Sequence, residues 1–201
     1  MITYKTIEEA WFFSCKKVLT EGYKQKIERG SFVGHERSQF ESLAFEITNG
    51  RPLTTSFKGK NITTEPQIEK YFQEHIINLA VKYNEIYTYG ERIHEYLSLI
   101  IKILKNEKNT NQAIIEVAKP DDAYLEDPPC LRVISWKVVN GKLNLTSFWR
   151  SWDLCNGLPV NLGGLQLLNE LVASETDLEV GKLICFSDGG HVYDMSYSMF
   201  E

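Results

Sequence analysis

"LRVISWKVVNGKLNLTSFWRSWD", residues 131–153, decides the fold. Two runs alternate apolar and polar side chains, and Asn140–Gly141 stands between them. An Asn-Gly pair tolerates the positive φ that a two-residue hairpin turn demands at both central positions. The stretch is therefore predicted as an antiparallel hairpin. Its register sets Cys130, just before the first strand, almost opposite Arg150 and Ser151 at the end of the second. A guanidinium beside a thiol favours the nucleophilic thiolate, and Arg150 and Ser151 also offer donors to a phosphate. Cys130 equally fits a buried, inert core thiol.

Outward from the hairpin, the pattern stays α/β. "TIEEAWFFSCKKVLTE" (6–21) is predicted as an amphipathic helix capped by Thr6 and ended by Gly22. "FESLAFEIT" (40–48) alternates as a strand, and residues 51–64 have loop character. A helix is expected from about Pro66 to Leu79, with Thr64 as its cap. Residues 92–105 place Ile93, Tyr96, Leu97, Ile100, Ile101 and Leu104 on one helical stripe. "AIIEVA" (113–118) is a short strand, 160–174 a helix with close packing at Gly163–Gly164, and "GKLICFSDGGHVYD" (181–194) a strand and loop. One α/β domain spanning 1–201, rich in antiparallel pairing, is the expected architecture.

Composition narrows the function. The 201 residues carry a net charge of −5, against a general nucleic-acid binder, which needs a basic excess. No apolar run reaches the length of a bilayer span, and the acidic N-terminal stretch is unlike a signal peptide, so a cytoplasmic protein is expected. Cys15, Cys130, Cys155 and Cys185 form no CxxC pair, and the four histidines form no ligand cluster; neither disulfides nor a metal are expected.

Five ordered motifs carry a family resemblance. "PPCLRV", the hairpin, "RSWD", "GLPVN" and "HVY" resemble the thymidylate synthases, with "YTYGERI" upstream and "GHERSQFESLAFEI" before it. The wording is similar to the compact archaeal-type branch. The resemblance implies a three-layer thymidylate-synthase-like fold with a large mixed or antiparallel sheet, and a homodimer formed through the sheet face. It implies transfer of a one-carbon unit from 5,10-methylenetetrahydrofolate, a cosubstrate, to C5 of a uridine monophosphate, most simply dUMP. Cys130 would attack C6, with Tyr89, Arg150, Asp153 and Glu69 in the catalytic set. Glu65 is the second choice for the glutamate. Arg37, Ser151, Asn161, His191 and Tyr193 would bind the nucleotide, and Asp153 and Gly157 the folate.

Asn161 offers both a donor and an acceptor, matching a uracil edge. The family's Arg-Arg phosphate pair is replaced by Asn111–Gln112, with Lys105, Lys108 and Arg132 as candidate substitutes. The chain ends shortly after His-Val-Tyr. A nucleotide hydroxymethylase on the same scaffold and a non-catalytic paralogue are therefore the alternatives.

Overall fold

The computed structural model describes residues 1–30, 32–81, 83 and 86–201. The hairpin forms as β8 (Leu131–Val139) and β9 (Lys142–Trp149), antiparallel. Asn140 and Gly141 take φ of 52° and 78°, the left-handed pair the turn requires. Strands β1 (Ile2–Tyr4), β4 (Leu43–Ile47), β7 (Ile114–Glu116) and β11 (Glu179–Ser187) complete a six-stranded sheet in the order β1-β4-β11-β9-β8-β7. Its pairing is mixed: β9 and β11 are parallel, as are β1 and β4. A four-stranded sheet orders β10 (Trp152–Asp153), β12 (Gly190–Tyr193), β3 (Glu36–Gln39) and β2 (Tyr23–Lys26).

Helix α1 (Ile7–Glu21) starts where Thr6 Oγ1 accepts from the Glu9 N–H at 3.2 Å. It packs against the large sheet at β4 and the small sheet at β3 and β12, so its Ile7, Trp11, Cys15 and Val18 are buried. Helix α4 (Leu158–Glu175) lies on β9 and β11 and also against α2 (Glu65–Tyr71), which explains a helix apolar on several sides. A Cβ on Gly163 would lie 2.7 Å from Ile68, and one on Gly164 2.8 Å from the Tyr71 ring. The glycine pair thus lets α2 approach α4 closely, as the sequence suggests. Each fully buried leucine of α4 contributes about 1.5–3 kcal/mol. No helix among the described residues is long and apolar enough to cross a membrane.

Several expectations need correction. The 40–48 strand is only β4, with β3 a separate strand before it. The expected loop 51–64 contains a hairpin, β5 (Thr55–Phe57) and β6 (Lys60–Thr63), turned through Lys58 and Gly59 at positive φ. The helix from Glu65 changes to a π-helical turn, Phe72–Ile76, and stops before Leu79. Helix α3 (Tyr89–Asn106) buries Ile93, Ile100 and Leu104 but leaves Tyr96 exposed, because its apolar stripe meets only a narrow neighbour at β7 and the π turn. The other face of the large sheet is open. Phe148 and Phe186, paired side by side, stay 40% exposed each.

Candidate active site

The hairpin brings its two ends together as the register predicts. The Arg150 N–H donates to the Cys130 carbonyl at 2.9 Å. The Arg150 guanidinium then grips the loop before the cysteine: Nε donates to the Pro128 and Pro129 carbonyls, both at 3.2 Å, and a terminal nitrogen reaches Asp127 at 3.0 Å. Strand β10 runs parallel to β12, so Asp153 pairs with His191. Strand β12 in turn pairs with β3, setting His191 beside Gln39 and Tyr193 beside Arg37.

These strands enclose a cavity of about 690 Å³. Cys130, Arg150, Ser151 and Asp153 line one side, and His191, Tyr193 and Arg37 the other. Its polar wall is unsaturated. His191 Nδ1 lies 3.0 Å from the Gly189 carbonyl, which only accepts, so Nδ1 carries the proton and Nε2 is a bare acceptor. Burial, chiefly, holds the imidazole pKa below its ordinary value, with the Arg37 and Arg150 charges adding to the same direction. His191 Nε2, Arg37 Nε and Gln39 Oε1 are buried without a protein partner. Unpaired buried groups on one wall mark the surface where a polar ligand docks.

Among the lining residues that escaped the sequence are Arg29, whose guanidinium bonds the Leu125 carbonyl at 3.4 Å, and Gln39. The signal for Arg29 was "ERG" before a glycine-bounded loop; Gln39 had none. Among the substitutes for the missing arginine pair, none lines this cavity. Arg132 is turned to Asp122 at 3.4 Å and the Pro129 carbonyl at 3.3 Å, and Lys105 pairs with Glu175. Asn111 accepts from Lys137.

The thiol departs from expectation. Burial pushes the Cys130 pKa up, and the opposing Arg150 and Arg132 charges do not cancel it, partly because Asp127 and Asp153 sit nearby. The resting group is the thiol. Alkylation of Cys130 by iodoacetamide is expected to keep accelerating above pH 9, beyond a free cysteine. Arg150→Met should move that curve further up, since it removes the largest lowering influence. A fast pH-independent reaction at neutrality would contradict this.

A second cavity of about 340 Å³ shares Asp127 with the first and is lined by Tyr71, Tyr87 and Tyr89. The Tyr89 oxygen accepts from the Leu131 N–H at 3.4 Å, next to the cysteine, and its ring stands edge-on to Trp149. Burial raises Tyr89 well above the ordinary phenol value and Tyr87 to about 12, so both are protonated at neutral pH.

Asn161 lines neither cavity directly. Its Oδ1 accepts from Trp152 Nε1 at 3.0 Å, and its Nδ2 donates to the Tyr71 oxygen at 2.8 Å. Gly157 caps α4, where a Cβ would sit 3.3 Å from the Asn161 oxygen; the glycine leaves room for that amide. Asp153 lines the cavity but also caps its own turn, accepting from the Cys155 and Asn156 N–H groups at 3.0 Å each.

The expected glutamate is not brought in. Glu69 is exposed on α2 and lines neither cavity, because the helix turns Ile68 and Tyr71 toward α4 instead. Glu65 is engaged by Arg51, which also holds Glu170. Among the described residues no cluster could hold a metal ion.

Comparison with known proteins agrees with this arrangement. Residues 67–201 match the family described as thymidylate synthase. A relative from Methanosarcina barkeri, named "Putative thymidylate synthase", is 27% identical over 208 residues, covering 100% of this chain and 93% of its own. One of the same name from Methanothermobacter thermautotrophicus is 24% identical, covering 100% and 96%. A "Thymidylate synthase" from Listeria monocytogenes is 33% identical over 106 residues, covering 52% of this chain and 33% of its own. With a family match over two thirds of the chain and full-length archaeal relatives among those it resembles, the chain whose cysteine is clamped by Arg150 belongs to the thymidylate synthases.

Proposed function

We propose that the protein transfers a one-carbon unit from methylenetetrahydrofolate to C5 of a uridine monophosphate, dUMP above all, through a Cys130–C6 adduct. The observation that carries this reading is Cys130 in the wall of the larger cavity, with Tyr89 of the smaller one bonded to the Leu131 N–H beside it. The larger one bears Arg29, Arg37 and Arg150, fit for a phosphate; the smaller bears the phenols. His191 Nε2, a bare acceptor, suits a sugar hydroxyl.

The chemistry follows from these groups. The Cys130 thiol gives up its proton to water; the thiolate sulfur bonds to C6, the C5=C6 π bond breaks, and its electron pair moves toward C5 and O4. Carbon C5 becomes the nucleophile toward the one-carbon unit, and its proton leaves through the Tyr89 neighbourhood. Bound folate supplies the one-carbon unit and the hydride. A further cavity of about 580 Å³, lined by Asn156, offers it an apolar wall of Phe57, Ile62 and Met199, with Lys58 and Lys60 as cations that would hold a carboxylate tail. A phosphate entering at Arg150 exchanges with Asp127, a surface ion pair that contributes only about 0.2–1 kcal/mol and is easily displaced.

The open sheet face, with Phe148, Phe186 and Ile114 exposed, supports a homodimer through that face. The reading places the protein in the cytoplasm, without nucleic acid or membrane as partner.

The test is incubation of dUMP with methylenetetrahydrofolate. The expected product is about 14 mass units heavier, with an absorbance rise as dihydrofolate forms. A product about 30 units heavier without that rise would establish hydroxymethylation instead, and no product would favour a non-catalytic paralogue.

A further inference from the structure

We propose that Tyr71 is a catalytic residue that donates a hydrogen bond to the O4 oxygen of the pyrimidine as Cys130 adds to C6. The inference rests on the nucleotide reading above and names a residue for it that has no counterpart among the expected groups.

The direction of one hydrogen-bond chain carries it. An indole N–H can only donate. Trp152 Nε1 therefore fixes which end of the Asn161 amide is oxygen, at 3.0 Å. Once Oδ1 faces Trp152, the amide nitrogen is the end that faces Tyr71, at 2.8 Å. The Tyr71 oxygen is thus an acceptor in that bond, and its own hydrogen must point elsewhere. Among the described residues no other group receives it. The Tyr71 side chain lines the smaller cavity together with Tyr89, whose oxygen accepts from the N–H of Leu131, the residue next to Cys130, and the Cys130 charge adds to the burial that raises the Tyr71 pKa. A donor is therefore aimed into the space next to the nucleophile.

The chain is rigid at its origin. Trp152 is 2% exposed and stacks on Trp149 with ring centroids 4.7 Å apart and planes 4° from parallel. The Tyr71 ring is held against Gly164, where a Cβ would come within 2.8 Å. A donor that needs no reorganisation acts most where charge develops. On addition, the thiolate left when the Cys130 proton passes to water bonds to C6, and the π pair passes through C5 to O4, which gains the negative charge. Tyr71 keeps its proton and shares it with that oxygen; nothing is oxidised or reduced. Trp152 is a positioning residue, since it acts only through Asn161.

The experiment is hydrogen exchange at C5 of dUMP without folate. The unsubstituted protein is compared with Tyr71→Phe and Trp152→Phe, with melting temperatures as the check of fold. Tyr71→Phe is expected to lower the maximal exchange rate about 10²-fold, the scale of one lost oxyanion donor, while KM changes less than about threefold. Trp152→Phe loosens the amide but keeps the phenol, so it should cost about tenfold less rate than Tyr71→Phe. With 4-thio-dUMP, whose sulfur accepts weakly, the effect of Tyr71→Phe should shrink to a few-fold. Exchange by Tyr71→Phe within threefold of the unsubstituted rate would overturn the inference. So would equal rate losses in the two variants, which mean that Tyr71 only anchors Asn161. Absence of exchange in the unsubstituted protein overturns the nucleotide reading, and this inference with it.

Discussion

Cys130→Ser lowers C5 hydrogen exchange on dUMP by about 10⁴-fold or more, the expected consequence of removing a covalent nucleophile. An alkoxide is far harder to form than a thiolate, and burial already holds the Cys130 thiol above its ordinary pKa. Serine is smaller by little, and the loop is held through the backbone and by Arg150 rather than through sulfur. Nucleotide affinity should therefore survive, because Arg29, Arg37 and His191 remain in the cavity wall. The check is exchange rate and dUMP binding measured together. Residual exchange within tenfold would remove the cysteine from the mechanism; loss of binding with loss of exchange would point to a damaged site.

The second large effect concerns stability. Arg92 and Asp122 are both buried and bonded at two points, 2.7 and 2.8 Å. Arg92 also donates to the Val117 carbonyl, and Asp122 accepts from the Lys119 N–H. The pair ties the first turn of α3, which bears Tyr89, to the segment that leads into Cys130. Removing one partner of a buried pair leaves the other charge without compensation, a cost of about 3–5 kcal/mol. Asp122→Asn is expected to lose about 3 kcal/mol by urea unfolding, since the amide keeps some of the bonds.

The pH dependence has a defined sign. Arg92, above all, holds the Asp122 carboxyl below the ordinary range, against the opposing effect of burial. The unfolded chain therefore binds the proton more readily. The stabilisation is complete above the unfolded carboxylate pKa, near 3.9, and is lost as pH falls through the lower folded value. The difference between the unsubstituted protein and Asp122→Asn should stay flat from neutrality to about pH 5 and shrink below about pH 4. A difference that grows in acid would contradict this.

Much of the fold was legible because its signals are local. The Asn140–Gly141 turn states its own backbone angles, and alternation on either side states which faces are buried. Thr6 and Gly22 bound α1 by chemistry that acts within one helical turn. The β5–β6 hairpin was missed because Lys58, unlike Asn, does not announce a positive φ. Strands β1, β2 and β3 are too short to show a period; their pairing, not their composition, makes them strands. Tyr96 was misassigned because a helical stripe records what a helix offers, not how wide its neighbour is.

The site divides the same way. Sequence by itself determined the opposition of Cys130 to Arg150, since a hairpin's register follows from its turn. It also determined the family, since ordered motifs survive without knowledge of packing. Only the tertiary structure decided what these groups do to one another. Parallel pairing of β10 with β12 carries His191 to Ser151 across 40 positions of chain. Packing of α2 on α4 brings Tyr71 to the Asn161 amide and leaves Glu69 exposed. The state of the thiol is a balance between burial and four neighbouring charges. Such balances depend on distances between segments remote in sequence, and no local pattern encodes them.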